Sequence, residues 1–375
     1  MLSKFDDYPV HQTPEPLFHT ASSDRFTYDR YFYNGHARDG SFFFGAALCR
    51  YPNLGILDCS LSLAIDGRQY AFHGSRRAPQ EPTDTTVGPF ALHILQPMGR
   101  HRLVIEPNET GIQCDLVFTP VTACIEEGRQ TMRNERHVVM DATRLDQFGQ
   151  WEGWIGYDGR RLKVDSHRTL GLKDRSWGIR PVGDAYSGGA PLGELAAFHF
   201  CWLPVHWQDQ CSLAGWFEDG SGNQWHTDQG FLPRYDSIEA IPATNDPDCY
   251  TWQGQVVHDL RMVPGTRRAA SGVITMGDRS GELMALTLEP ELVFRMKGLG
   301  YQHPEWGHGK WQGELAIGGE TWLDSELDPL ALENLHIQQV VRVTCGDRVG
   351  HGVLEQLHLG PSVTLGFADW FDGAG

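Results

Sequence analysis

The sequence predicts a mostly β-strand protein with antiparallel sheets in two domains. Apolar and polar residues alternate in short runs, of which Leu57–Ile65 is the clearest, and this period of two is typical of strands with one buried face. Turn signals such as Asp66-Gly67 follow these runs directly, as they do in β-hairpins. The chain has 375 residues, which is more than a single core usually spans, so two domains are expected.

The same alternation recurs along the chain, and 43 glycines and 21 prolines punctuate the runs. Many short strands with close turns favour a sandwich or a barrel. Helical patterns are weak, and only residues 327–335 predict a short helix. Further strands are predicted over Ile112–Phe118, Leu213–Phe217, Met284–Leu288, Leu315–Ile317 and Val340–Thr344.

The segment 181–193 is the best candidate for a linker between the domains. It is rich in glycine and proline, and Asp184 is its only charged residue, which is a composition typical of connecting segments. We therefore predict an extended N-terminal arm over residues 1–20, one domain over 21–185 and a second over 190–375.

Composition excludes several classes of partner. The 31 Lys and Arg residues against 48 Asp and Glu give a net charge of -17, which repels nucleic acid and anionic membranes. No run of about 18 apolar residues predicts a membrane span. The first residues include acids where a signal peptide needs basic and then apolar ones, so we expect a cytoplasmic protein. The eight cysteines form no C-x-x-C pair and are expected to be reduced core thiols.

Four segments combine aromatic rings with side chains that can transfer protons. This mixture suits a reaction in which an acid protonates an alkene or an allylic alcohol. Aromatic faces then stabilise the cation, by about 1–2 kcal/mol each when desolvated. The four segments are residues 24–34, 171–180, 198–207 and 300–311.

Asp174 is the first candidate for the proton donor, because apolar and aromatic neighbours such as Trp177 raise the pKa of a carboxyl group by desolvation. Arg175 could instead hold it ionised, so a structural ion pair or a turn cap is the alternative. Other candidates for acid–base catalysis are His199, His303 and Glu305, and the predicted substrate-binding wall consists of Tyr28, Tyr31, Tyr33, Trp177, Trp202 and Trp306. For the aromatic residues and for His199, simple core packing is the alternative interpretation.

A metal site is not expected. His303, Glu305 and His308 have suitable ligand chemistry, but their spacing does not match H-E-x-x-H, and Pro304 with the nearby glycines opposes a helix. The sequence also lacks a dinucleotide fingerprint, a nucleophile elbow and a phosphate-binding loop. We predict neither a metal nor an organic cofactor.

The stretch Gly171-Leu-Lys-Asp-Arg-Ser-Trp-Gly-Ile-Arg180 resembles the signature of the carotenoid 1,2-hydratase/AttH-like superfamily, which is similar to the tocopherol cyclases. Residues 6–16 and 51–55 resemble a bacterial branch of it. The resemblance implies two lipocalin-like antiparallel β-barrels packed together. Asp174 matches the acid of the motif and Trp177 its aromatic residue, whereas Arg175 stands where many relatives have histidine.

Lipocalin-like barrels bury ligands among inward-facing side chains. The leading hypothesis is an acid–base hydratase, lyase or isomerase that hydrates, dehydrates, isomerises or cyclises an isoprenoid, steroid-like or aryl substrate in a barrel cavity. The alternative is a non-catalytic carrier of the same kind of hydrophobic ligand, and a metal-dependent lyase is the third hypothesis. The partner is a hydrophobic small molecule, and a homodimer is left open as the assembly.

Overall fold

The computed structural model describes residues 4–185, 193, 196–277 and 280–375. Strands form two antiparallel sheets, which confirms the expected all-β fold. The first sheet has 14 described strands: β1 (Thr27–Ala37), β2 (Phe42–Tyr51), β3 (Ile56–Ile65), β4 (Arg68–Arg77), β5 (Thr86–Val87), β6 (Phe90–Ile94), β7 (His101–Ile105), β8 (Gln113–Pro120), β9 (Ile125–Glu126), β10 (Gln130–Asn134), β11 (His137–Tyr157), β12 (Arg160–Val164), β13 (Thr169–Ile179) and β21 (Leu315–Leu323).

The second sheet has nine described strands and forms a half-barrel. Its order is β17-β16-β15-β14-β23-β22-β20-β19-β18. The bounds are β14 (Phe198–His206), β15 (Gln210–Glu218), β16 (Gln224–Pro233), β17 (Tyr250–Trp252), β18 (Val257–Met262), β19 (Ala269–Gly277), β20 (Leu283–Arg295), β22 (Ile337–Cys345) and β23 (Arg348–Leu359).

Helical structure is sparse in the described residues. One helix, α1 (Leu332–Leu335), lies within the predicted helix over 327–335, which is therefore shorter than expected, and a 3-10 turn at Asp324–Glu326 precedes it. Three further 3-10 turns are Lys4–Asp7, Ile238–Ala240 and Met296–Leu299. No described helix is long and apolar enough to cross a membrane.

The first sheet is a nearly closed barrel whose interior is filled by side chains. Its order is β21-β4-β3-β2-β1-β13-β11-β8-β7-β6-β5, and β9, β10 and β12 also pair with the long strand β11. The rings of Tyr33, Phe44, Phe118 and Trp151 pack against one another inside it. Such a filled interior leaves little room for a ligand.

The two halves of the chain share the first sheet. Strand β21 comes from the predicted C-terminal domain, yet it pairs along its whole length with β4 of the N-terminal half. The division at residues 181–193 remains a prediction, and residues 186–192 of that region lie outside the described part of the chain.

A further core lies between the two sheets. The rings of Phe43 in β2 and Phe294 in β20 have centroids 4.6 Å apart. Leu172 in β13 belongs to the same apolar cluster as Trp202 and Leu213 of the second sheet. The inner faces of the sheets therefore pack together as in other face-to-face sheet pairs, and the candidate site lies in this interface.

Candidate active site between the two sheets

A cavity with a volume of about 890 Å³ lies between the two sheets. This cavity lies outside the first barrel, which aromatic side chains fill, and the ligand site within a barrel stays a prediction. The cavity is large enough for a typical small-molecule ligand. Its apolar wall includes Phe32, Phe198, Phe200, Trp202, Phe217 and Leu357.

Strand β1 presents alternate side chains to the barrel interior and to the cavity. Arg30 and Phe32 line the cavity. Tyr33 points into the barrel, where its hydroxyl hydrogen-bonds to His101 Nδ1 at 2.5 Å, and the Tyr31 ring is stacked at 6.3 Å from it. The predicted wall of tyrosines is thus wrong for these two residues. Tyr28 is buried behind the cavity wall, with its ring 4.7 Å from the Arg180 guanidinium.

Strand β13 separates Asp174 from Trp177 in the same way. Asp174 lines the cavity, whereas the Trp177 side chain is 40% exposed and lies outside the cavity lining. Residues three positions apart in a strand point to opposite faces, so the predicted contact between this acid and this ring is wrong. Trp202 of β14 does line the cavity.

Asp174 lies in an ion-pair network rather than in an aromatic box. Its Oδ2 accepts a hydrogen bond from Arg30 Nη2 at 2.9 Å and lies 3.8 Å from Arg144 Nε. Arg175 points to the other face and pairs with Asp29 at 2.5 Å. The ion-pair alternative for Asp174 is therefore present, but its partner is Arg30 from the neighbouring strand.

Two more buried carboxyl groups lie beside this network. Asp146 is directly opposite Asp174 in the pairing of β11 with β13, and Glu127 Oε2 is 3.4 Å from Arg144 Nη1. Burial, with the charge of Glu127, raises the pKa of Asp146 well above its ordinary value. Burial also raises the pKa of Glu127. Trp202 Nε1 donates to the other Glu127 oxygen at 3.1 Å.

The cluster contains three acids and two arginines. Arg30 pairs with Asp174, and Arg144 pairs with Glu127. Such pairing is what buried charges require. The raised pKa of Asp146, which has no such ion pair among the described residues, favours a proton on that carboxyl group beside the cavity.

His336 and Glu355 form a dyad that also lines the cavity. The imidazole Nε2 lies 2.6 Å from Glu355 Oε1. Burial alone would raise the pKa of Glu355, but the hydrogen bond and charge of His336 lower it overall. An ionised Glu355 fixes the proton of His336 on Nε2. The imidazole Nδ1 has no hydrogen-bond partner among the described residues.

A chain of side-chain amides holds Glu355 in place. Asn34 Oδ1 accepts from the Leu172 backbone N–H at 3.0 Å, so its amide nitrogen faces Gln338. Gln338 Nε2 in turn donates to Glu355 Oε2 at 2.5 Å. Both oxygens of Glu355 are therefore engaged, and the chain links the two sheets.

His199 and Glu305, two of the predicted acid–base candidates, lie outside the cavity lining. His199 Nε2 donates to the Pro361 carbonyl at 3.0 Å, and its ring packs near Phe367 on the other face of β14. Glu305 is exposed. Trp306, predicted to bind substrate, stacks on His73 at 5.5 Å and lines a small neighbouring pocket.

His303 lines the cavity but joins a cluster with His73 and Glu320 instead of Glu305 and His308. Its Nε2 lies 2.8 Å from Glu320 Oε1, and its Nδ1 accepts backbone N–H groups from Glu305 and Trp306. A metal-bound histidine normally donates its second ring N–H to an acceptor. Because two donors face Nδ1, the proton of neutral His303 sits on Nε2, and the ring presents no free lone pair to a metal.

A third polar group at the cavity centres on Tyr301. The guanidinium groups of Arg30 and Arg180 lie 5.7 and 5.6 Å from the centre of its ring. Arg180 Nη2 donates to His308 Nδ1 at 3.0 Å, and His308 Nε2 donates to the Leu299 carbonyl. Burial, together with Arg180, lowers the pKa of His308 well below its ordinary value, so this imidazole is neutral.

The sequence reasoning did not find His336, Glu355, Asp146 or Glu127. The spacing of His336 and Glu355 matches no short motif, and the pairing of β22 with β23 brings them together. The sequence does contain a hairpin signal at Gly346-Asp347, with an imidazole before it and a carboxyl group after it. This signal could have indicated that the two groups lie close together.

Comparison with known proteins adds the family and the fold. The profile of the family of unknown function DUF8625 matches residues 2–368. The chain belongs to this family. No curated protein matches the sequence of this DUF8625 protein.

Two solved structures show the same fold. An AttH protein (NE1406) from Nitrosomonas europaea is 13% identical with a TM-score of 0.57, covering 93% of this chain and 98% of its own. Kievitone hydratase from Nectria haematococca is 11% identical with a TM-score of 0.51, covering 88% of each chain. These structures show the fold, whereas the AttH-like superfamily and its bacterial branch remain predictions.

Proposed function

We propose that this DUF8625 protein is an acid–base enzyme that adds or removes water, or shifts or closes a double bond, in a largely apolar small molecule held between the sheets. The observation that carries the proposal is the His336–Glu355 dyad, with a free imidazole nitrogen, at a cavity of about 890 Å³. A carrier needs apolar walls only, whereas this cavity also contains prepared proton-transfer groups.

His336 is the proposed base. Its Nδ1 lone pair accepts a proton from substrate carbon or from water, and Glu355 stabilises the imidazolium that forms. Base, orienting carboxylate and fixed tautomer are the recurring parts of such sites. General acid–base catalysis of this kind typically contributes about 10²–10⁴-fold.

Asp174 remains the proposed acid, now supplied by the neighbouring carboxyl cluster. Arg30 pairs with Asp174, and the proton that Asp174 delivers is proposed to come from Asp146, its direct partner across the strand pair, whose pKa burial raises. Side chains of such partners approach within about 5 Å at Cβ. Asp174 lies between this proton and the cavity.

The fold supports the same class of reaction. Kievitone hydratase shares the architecture, and by analogy a hydratase reaction suits this site. Fold alone does not define a reaction, so the side chains at the cavity bear the argument.

Native mass spectrometry of the purified protein should identify a bound apolar ligand. Incubating that ligand with the protein in D₂O should give a product that has gained or lost water, or that carries solvent deuterium at carbon. His336→Gln and Asp174→Asn should each lower turnover by about 10²-fold or more while leaving ligand affinity nearly intact.

Trp177→Phe is the matched control, since this exposed side chain lies outside the cavity, and its turnover should equal that of the wild type. A ligand returned unchanged by the wild type would contradict the enzyme proposal and favour the carrier. Full activity of folded His336→Gln would show that another group is the base.

A further inference from the structure

We infer that the ligand of the cavity carries a negatively charged oxygen group, such as a carboxylate, and that Arg30 and Arg180 bind this group beside Tyr301. The inference rests on the proposed function in taking the cavity as the ligand site. It adds the chemical class of the ligand, which is an apolar body with one oxyanion.

Arg30 has buried hydrogen-bond donors without an acceptor among the described residues. Its side chain is 3% exposed and lines the cavity. Nη2 donates to Asp174, but Nε and Nη1 have no acceptor among the described residues and are shut off from solvent. Buried guanidinium N–H groups are normally hydrogen-bonded, so two donors at a cavity wall indicate an acceptor that the chain does not provide.

Arg180 faces the same place and has no carboxylate partner within the described ranges. Its Nη2 donates to the neutral His308, and its Nε is buried without an acceptor among the described residues. Asp58 interacts with it electrostatically, and burial raises the pKa of this carboxyl to about 7, so that Asp58 is only partly ionised at neutral pH. A buried cation without a counter-ion is unfavourable, and a ligand anion would supply the missing charge.

The other acids at the cavity are already engaged or exposed. Asp174 is matched by Arg30 and Arg144, and Glu355 is matched by His336. The two remaining acids of the lining are Asp24, which accepts the Phe26 backbone N–H, and Asp184, which is exposed. Arg180 and Lys310 are then the lining cations without an ion pair among the described residues, and Arg180 is the one that lies beside Arg30 and Tyr301.

This placement also selects among reaction routes. A guanidinium pair beside the substrate disfavours a developing carbocation and favours a developing oxyanion. Removal of a proton next to the bound carboxylate by His336, with the resulting enediolate oxygens at Arg30 and Arg180, fits both groups. In that step the C–H electron pair moves into the carbon–carbon bond, the carbonyl electrons move to oxygen, and the proton goes to Nδ1.

Two dyes with one skeleton test the inference on the whole protein. 8-Anilinonaphthalene-1-sulfonate carries an oxyanion, whereas N-phenyl-1-naphthylamine is its neutral counterpart, and both fluoresce on entering an apolar site. We expect the wild type to bind the sulfonate at least about tenfold more tightly than the neutral dye. Leu357→Trp, which narrows the cavity, should weaken both dyes and so locate them there.

Arg180→Met should lower the preference for the sulfonate to about threefold or less, leaving the Kd of the neutral dye unchanged. Arg180→Lys keeps the charge and should keep the preference. Arg161→Met is the matched control, because Arg161 also covers an aromatic ring, Trp154, but is exposed and outside the cavity. Circular dichroism checks that each variant is folded. The comparison of the two dyes on the wild-type protein does not depend on any variant.

Equal binding of both dyes by the wild type would overturn the inference while leaving the cavity as a ligand site. Equal loss of both dyes in folded Arg180→Met would also overturn it, since the arginine would then act through packing. If neither dye binds, the inference and the proposed function both fail.

Discussion

The buried amine of Lys173 should dominate one part of the dependence of stability on pH. Burial lowers the pKa of this amine to about 8, whereas the unfolded chain keeps its proton to about pH 10.4. Between these values the unfolded state binds more protons, so stability rises with pH. From pH 7.5 to 9.5 the wild type should gain about 2 kcal/mol in free energy of unfolding relative to Lys173→Met.

Urea unfolding at the two pH values measures this difference. Lys163→Met is the control, because the Lys163 side chain is 83% exposed and its removal should leave the slope unchanged. A Lys173→Met variant whose stability follows the wild type across this range would show that the amine is solvated.

A second prediction concerns the ion pair of Asp174 and Arg30. Both side chains are almost fully buried, and loss of one partner of a buried pair costs about 3–5 kcal/mol. Asp174→Asn keeps the shape and hydrogen-bonding capacity, so we expect a loss near the lower end, about 3 kcal/mol. Asp29→Asn breaks the pair with Arg175, in which Asp29 is 51% exposed, and should cost less than about 1 kcal/mol.

Denaturant unfolding of both variants tests the contrast, and equal losses of stability would contradict it.

Asp174 also shows what could be predicted from the sequence for a single residue. The segment that contains Asp174 was found from its residue types and from its resemblance to a known family. The burial of Asp174 follows from the strand pattern. Its partner was not found, because Arg30 lies 144 residues away and only the pairing of β1 with β13 brings the two together.

At the scale of elements, three glycines form a row across neighbouring strands of the first barrel. Gly35, Gly171 and Gly149 are direct partners in β1, β13 and β11. A Cβ on Gly171 would lie 2.3 Å from Trp151 Nε1 and 2.6 Å from the Asn34 carbonyl oxygen. The row therefore makes the space in which the Trp151 ring packs and donates to that oxygen.

Gly171→Ala should lower the free energy of unfolding by about 2–3 kcal/mol, because overpacking costs about 1–3 kcal/mol and backbone here cannot give way as a side chain can. Gly156→Ala in β11 is the control, since its Cβ would meet nothing closer than 3.4 Å. Thermal or urea unfolding compares the two. A loss for Gly171→Ala no larger than for Gly156→Ala would mean that the strands can separate to accept the methyl group.

The elements themselves were largely predictable. Alternation at Leu57–Ile65 and the following Asp66-Gly67 turn correspond to β3 and its hairpin with β4. The same period of two places Trp177 and Asp174 on opposite faces of β13. The face on which each residue lies could therefore have been predicted from the sequence. The order of the strands in the sheets was not predictable, because a strand such as β21 pairs through long-range packing that no local sequence pattern indicates.

At the scale of the whole molecule, shared elements join the two halves of the chain. Strand β21 lies in the first sheet, and the amide chain from Asn34 through Gln338 to Glu355 spans the interface. We therefore expect one cooperative unfolding transition, with tryptophan fluorescence and far-ultraviolet circular dichroism coinciding.

The coincidence of the two probes during urea unfolding measures this prediction. Two separated transitions would contradict it and would favour the division at residues 181–193 into independently folding domains. Gly318→Val offers a further check, because a side chain there would collide with the Trp306 ring next to β21. It should lower the midpoint of the whole transition rather than create a second one.

Strand β21 also has a consequence for synthesis on the ribosome. This edge of β4 stays unpaired until β21 is synthesised roughly 240 residues later, which takes about 10–50 s at typical elongation rates. An unpaired strand edge is a template for wrong association during that interval. The nascent first half should therefore depend on chaperones, and slow translation of the second half should lower the yield of native protein more than equally slow translation of the first.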